Sequence, residues 1–113
     1  MDGYLIGEML FEGVTVYTPW VPRRANAGVF AVDVIGVSGV TMTVDVETKK
    51  ADASDDVANI GTVGTISSIS ATGVSASSLL EDFEDLYRYK ISTGVTPSLD
   101  WIWFRLLAPS WAR

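Results

Sequence analysis

The chain has 113 residues, fourteen acidic against eight basic for a formal net charge of −6, and neither cysteine nor histidine. Those two absences exclude disulfides, thiolate metal sites and any Ser-His-Asp, Cys-His or zinc-type chemistry within one chain. The acidic balance argues against a surface that neutralises nucleic-acid phosphates. The length fits a single domain, 1–113, large enough to bury a core without covalent help.

The opening stretch "MDGYLIGEMLFEG" carries acids where a secretory signal carries Lys or Arg. No run approaches about eighteen uninterrupted apolar residues, so no membrane span is expected. The expectation is a protein made in the cytoplasm and kept off the membrane. "VTVY" (14–17) reads as a short strand. It is ended by "TPWVPRRANAG", whose prolines and glycine mark an irregular loop. Pro19 and Pro22 bracket Trp20 and cannot both serve a central strand. A rigid loop presenting Trp20, Arg23 and Arg24 has the composition of an interface anchor. A tryptophan lidding one end of the fold, with solvent-facing arginines, is the alternative.

"GVFAVDVIGV" is Val-rich and apolar on both faces apart from Asp33. "VTMTVDVETK" then alternates strictly, with Val40, Met42, Val44 and Val46 on one side and Thr41, Thr43, Asp45 and Glu47 on the other. With "GVSG" between them, residues 29–37 and 40–49 are expected to form a hairpin. "KADASDDVANIG" is a polar connection, and "GTVGTISSISATGVSA" suggests one or two strands.

"SSLLEDFEDLY" places Leu79, Leu80, Phe83 and Leu86 at helical spacing, and Ser78 with Glu81 fits a capping box. At most one short helical turn near 79–85 is expected, with a plain loop as the alternative. The acids of 81–85 and 52–56 include oxygen donors suited to calcium. Neither stretch has the glycine turn and distal glutamate of a calcium loop, so a solvated acidic face is preferred and no metal or cofactor is expected. Two of the fourteen acids could in principle cleave glycosides. Nothing marks a pair, and no enzyme activity or catalytic residue is assigned.

"LYRYKIS" (86–92) alternates again, and "WIWFRLL" (101–107) reads as a final strand. There Trp101, Trp103, Arg105 and Leu107 share one face and Ile102, Phe104 and Leu106 the other. Bulky residues on both faces imply burial on both sides, by the chain's own loops or by another chain. Sugar stacking on Trp101 and Trp103 is a lesser option. Pro109 is expected to stop the strand, leaving Trp111 beyond it as a candidate for a partner. Six to eight short strands with turns between them give an all-β fold class, a single antiparallel β-sandwich of jelly-roll-like build.

Three segments, "VYTPWVPRRANAGVFAVDVIGVSG", "LYRYKIS" and "DWIWFRLLAPSW", together resemble small virion proteins of tailed bacteriophages. Their pattern is an aromatic-Thr-x-Trp-x-Pro-Arg loop, a Leu-x-Arg-Tyr-Lys strand, and an Asp-Trp-x-x-Phe-Arg strand ending in Pro-x-Trp. The resemblance spans most of the chain but not 57–76. It implies an auxiliary capsid protein of the decoration, cement or minor head type. Such a protein would bind the major capsid protein or other virion subunits, assemble as a homo-oligomer and reside in the virion. A tail, neck or connector subunit is the alternative within the virion, and a carbohydrate-binding module the alternative outside it. The contact residues are then Trp20, Arg23, Arg24, Trp101, Trp103, Arg105 and Trp111.

Overall fold

The computed structural model describes residues 8–11, 13–94 and 98–112. In chain order the strands are β1 (Glu8–Phe11), β2 (Thr15–Tyr17), β3 (Val21–Pro22), β4 (Ala27–Val29), β5 (Ala31–Ser38) and β6 (Met42–Lys49). A 3₁₀ turn at Val57–Asn59 leads to β7 (Gly61–Ile69), β8 (Gly73–Ala76), β9 (Leu86–Ser92), β10 (Trp101–Leu106) and β11 (Ser110–Ala112). The fold is all-β, with every pair of these strands antiparallel.

Three sheets result. One has four strands in the order β1-β10-β5-β8, one has five with β2 and β3 both on β9 and then β6 and β7, and β11 pairs with β4. The small sheet prolongs the four-stranded one, because the Leu107 N–H donates to the Ala31 carbonyl at 3.0 Å between the two ladders.

Alternation decides which side chains meet. On β6, Met42, Val44 and Val46 are buried, and on β9 Tyr87, Tyr89 and Ile91. From the four-stranded sheet come Val32 and Val34 of β5 and Ile102, Phe104 and Leu106 of β10. These residues belong to one hydrophobic cluster fed by both larger sheets. Each such side chain contributes about 1.5–3 kcal/mol relative to exposure.

The expected hairpin of residues 29–37 and 40–49 does not form. β5 pairs with β10 and β8, whereas β6 pairs with β7 and β9. Between them Gly39 sits at φ +75°, with the Asp100 carboxyl so close that a Cβ would lie 2.7 Å from its Cγ. Only glycine fits there, and the link hands the chain from one sheet to the other. Turn chemistry marks a change of direction but does not say which strand lies alongside.

The helical turn considered near 79–85 is also absent. Leu80 and Gly28 exchange backbone hydrogen bonds of 2.9 Å in both directions, and Asp82 lies at φ 66°. Pairing with β4 satisfies groups that a helix would have bonded internally, and Phe83 still reaches the core. It stacks on Phe30 with ring centroids 5.4 Å apart.

Nor are both faces of the last strand buried. Ile102, Phe104 and Leu106 are fully enclosed, while Trp103 is exposed at 42%. β10 lies between β1 and β5 in one sheet, so only one of its faces meets the core. β10 ends at Leu106, before Pro109 is reached, and strand pairing resumes directly after the proline, where β11 runs against β4.

Candidate interaction surfaces

The seven residues singled out by sequence fall in three separate places. The first is the outer face of the five-stranded sheet. Glu47 of β6 stands opposite Arg88 of β9, and the Arg88 Nε donates to Glu47 Oε1 at 2.8 Å. The guanidinium carbon lies 4.3 Å from the Tyr17 ring centroid and 4.4 Å from that of Trp20. Trp20 donates its indole N–H to Asp55 Oδ1 at 3.1 Å. The Lys49 ammonium is 2.7 Å from the same oxygen, 5.3 Å from the Trp20 ring centroid, and donates to the Ala53 carbonyl at 2.8 Å.

Trp20 therefore lies among its own chain's charges over a polar sheet face. Lys49 chiefly holds the Asp55 carboxyl below the ordinary aspartate range; its hydrogen bond outweighs desolvation, and the Trp20 N–H and Arg88 charge assist. Further along the sheet, Thr65 Oγ1 donates to Asp45 Oδ1 at 2.7 Å.

The second place is the end of the molecule at β4 and β11. Arg23 and Arg24 are exposed there. Arg24 and Ala25 line a shallow cavity with Trp111 and Ala112, and the adjoining depression is lined by Arg23, Arg24, Ala25 and Asp85. Arg23 bonds to Asn26 Oδ1 through Nη1 at 3.4 Å.

Trp111 needs no partner to explain its burial. Its ring stands edge-on to Phe30 at 5.5 Å, Phe83 at 5.5 Å and Tyr87 at 5.4 Å. It also lies against Gly28 of β4, where a Cβ would come within 2.9 Å of Trp111 Cε3. The cost of this packing is polar. The indole Nε1 is buried with no acceptor among the described residues.

The third place is the outer face of the four-stranded sheet. Arg105 of β10 faces Asp33 of β5, with Nε 3.1 Å from Oδ2, and Asp33 faces Val74 of β8. In the next row Trp103 faces Gly36, and the Trp101 ring also packs against Gly36, 3.2 Å from where a Cβ would be. The register slips between Trp103 and Phe104, leaving Ile35 as the extra residue of a bulge. Ile35 is 43% exposed and Val74 63%. This surface holds three of the seven residues, Trp101, Trp103 and Arg105.

Sequence reasoning missed Tyr17, Lys49, Asp55 and Arg88 as the setting of Trp20, and Ile35 and Val74 as neighbours of Trp103. Alternation placed Arg88 and Glu47 outward, but only the register of β6 against β9 brings them together. Asp55 does not act with Asp52 and Asp56 as a cation loop. Asp55 bonds Lys49 and Trp20, and Asp56 Oδ2 accepts from Ser54 Oγ at 3.0 Å. Among the described residues no cluster of acids is arranged to hold a metal ion. Compared with known proteins, the chain matches no family model, no curated protein and no solved structure.

Proposed function

We propose that this chain is a structural subunit of a bacteriophage virion, an auxiliary capsid protein of the decoration or cement type, and not an enzyme. Its two larger sheets act as the layers of a single jelly-roll-like β-sandwich domain, a reading supported by the core cluster they share. The outer face of the four-stranded sheet meets the major capsid protein or another virion subunit and adds contacts that stabilise the shell. The observation that carries this is one sheet face that bears half-exposed Trp103 on β10, Ile35 on β5 and exposed Val74 on β8. Tryptophan and arginine dominate interface hot spots, and contiguous apolar area outside a core marks a contact surface. Arg23, Arg24 and Trp20 are then secondary contacts or local structure. A tail, neck or connector subunit would use the same surface.

The test is mass spectrometry of purified virions of the phage that encodes the chain, with wild type and Trp103→Glu compared. The protein is expected in particles, and the variant is expected to be depleted at least about tenfold, the effect of losing one hot spot. Absence of the wild-type protein from particles sinks the proposal. The carbohydrate-module alternative predicts instead a glycan-array signal that Trp103→Ala removes.

A further inference from the structure

The outer face of the four-stranded sheet has the chemistry of a surface that pairs with itself. Across β5, β8 and β10 the only charged residues are Asp33 and Arg105, one of each sign, on a chain whose net charge is −6. A two-fold interface brings the same patch to both sides, so it must be self-complementary. Most surfaces of so acidic a chain would oppose like charges in that arrangement. This one opposes an apolar body to an apolar body and Arg105 to Asp33.

The ion pair within one chain uses the Arg105 Nε and one Asp33 oxygen, and the Arg105 side chain is 49% exposed. A guanidinium has five N–H donors, so it has capacity for a second carboxylate. From these observations we infer that two copies of this chain associate face to face through the outer surface of the four-stranded sheet, with Trp103, Ile35 and Val74 at the centre and Arg105 of each copy reaching Asp33 of the other.

The size of the face sets the strength. Six residues of β10 at about 3.3 Å each, across the three strands β5, β8 and β10 about 4.8 Å apart, give a footprint of about 290 Å². A standard interface takes about 800 Å² per partner. The pair is therefore weak in dilute solution and gains strength where many copies are held close, as on a lattice. This inference rests on the reading of that face as a binding surface and names its occupant: the virion subunit met there is a second copy of this chain, in place of the major capsid protein.

The experiment is sedimentation velocity of the full chain from about 10 μM to about 1 mM, the range in which an interface below standard size associates. Wild type is expected to dimerise reversibly within it, with affinity falling as salt rises. Val74→Lys and Ile35→Lys are expected to remain monomeric with unchanged circular dichroism, while Val57→Lys, in the 3₁₀ turn, dimerises as wild type does.

The decisive measurement mixes Asp33→Arg with Arg105→Glu. Neither variant pairs with itself, since each carries two like charges on the face, but the mixture forms a heterodimer at least about tenfold tighter than either homodimer. A wild-type chain that stays monomeric at about 1 mM, or a mixture that gains nothing, overturns the inference. If that chain is nonetheless found in virions, and Trp103→Glu is not, the face binds a different subunit and the virion proposal stands. Dimers of a chain absent from virions support the pairing and remove the virion proposal.

Discussion

The outer faces of the two larger sheets both carry aromatic rings, and they differ in what stands beside them: charged side chains on one, small and apolar residues on the other. On the five-stranded sheet Arg88 lies against both Tyr17 and Trp20, Glu47 holds Arg88, and Asp55 ties Trp20 to Lys49. Glu47 and Lys49 end up buried although they sit on an outward face. On the four-stranded sheet Trp103 has Gly36 opposite it, Val74 exposed nearby and one half-exposed ion pair. Trp20, between Arg88 and Lys49 with their own counter-charges, is only partly exposed, whereas Tyr17, which Arg88 also touches, stays 51% exposed. Trp103, opposite Gly36 and with no charged side chain among the described residues stacked on its ring, is 42% exposed and open to solvent or to a partner.

Substitutions can break this contrast, and the largest effect should come from the residue that sequence placed on the surface and the fold placed in the aromatic cluster. Trp111→Ala is expected to cost about 3–5 kcal/mol, the usual loss for truncating a packed aromatic residue, measured by urea unfolding. Unchanged stability would return Trp111 to the list of contact residues.

Next comes Arg88→Ala, which leaves the buried Glu47 carboxylate without its guanidinium and removes the cation stacked on Tyr17 and Trp20. A loss of about 2–4 kcal/mol is expected. Arg105→Ala on the opposite face should cost less, about 1 kcal/mol, because the Arg105 side chain is half-exposed and Asp33 keeps partial contact with solvent. Equal losses from Arg88→Ala and Arg105→Ala would erase the distinction between the faces.

Trp103→Ala should change stability by no more than about 1 kcal/mol while lowering assembly, since a half-exposed ring has less apolar area to lose. A large loss of stability with assembly intact would make Trp103 a core residue.

The smallest effect is expected from Asp55. Its carboxyl is held below the ordinary aspartate value, so its contribution is fully present above that value and is lost as pH falls through the lowered one. Acid titration followed by tryptophan fluorescence should show a transition below the ordinary aspartate range. Asp55→Asn should remove it, and an unchanged titration in that variant would assign the transition elsewhere.

Much of this was legible one strand at a time. Alternation identified β6, β9 and the inward side of β10, because a period of two is a property of the backbone that each strand carries alone. The same signal failed for the outward side of β10. Apolar residues are enriched in cores but are not confined to them, and nothing in "WIWFRLL" says that Gly36 and Asp33 lie alongside. The segment around Leu80 failed for a related reason. Its helical spacing was real, yet a bridge to Gly28 satisfied the same backbone groups and buried the same phenylalanine.

The sequence by itself determined the class of the fold, the positions of most strands and the lack of any cysteine or histidine chemistry. These follow from composition and from periodicities that span a few residues. Which strands pair, that "GVSG" carries the chain between sheets, that Trp20 is covered and that Trp103 is exposed were decided only by the tertiary structure. Those outcomes depend on contacts between residues far apart in the chain, such as Arg88 with Glu47 and Arg105 with Asp33. They exist only once the register of one strand against another has been set.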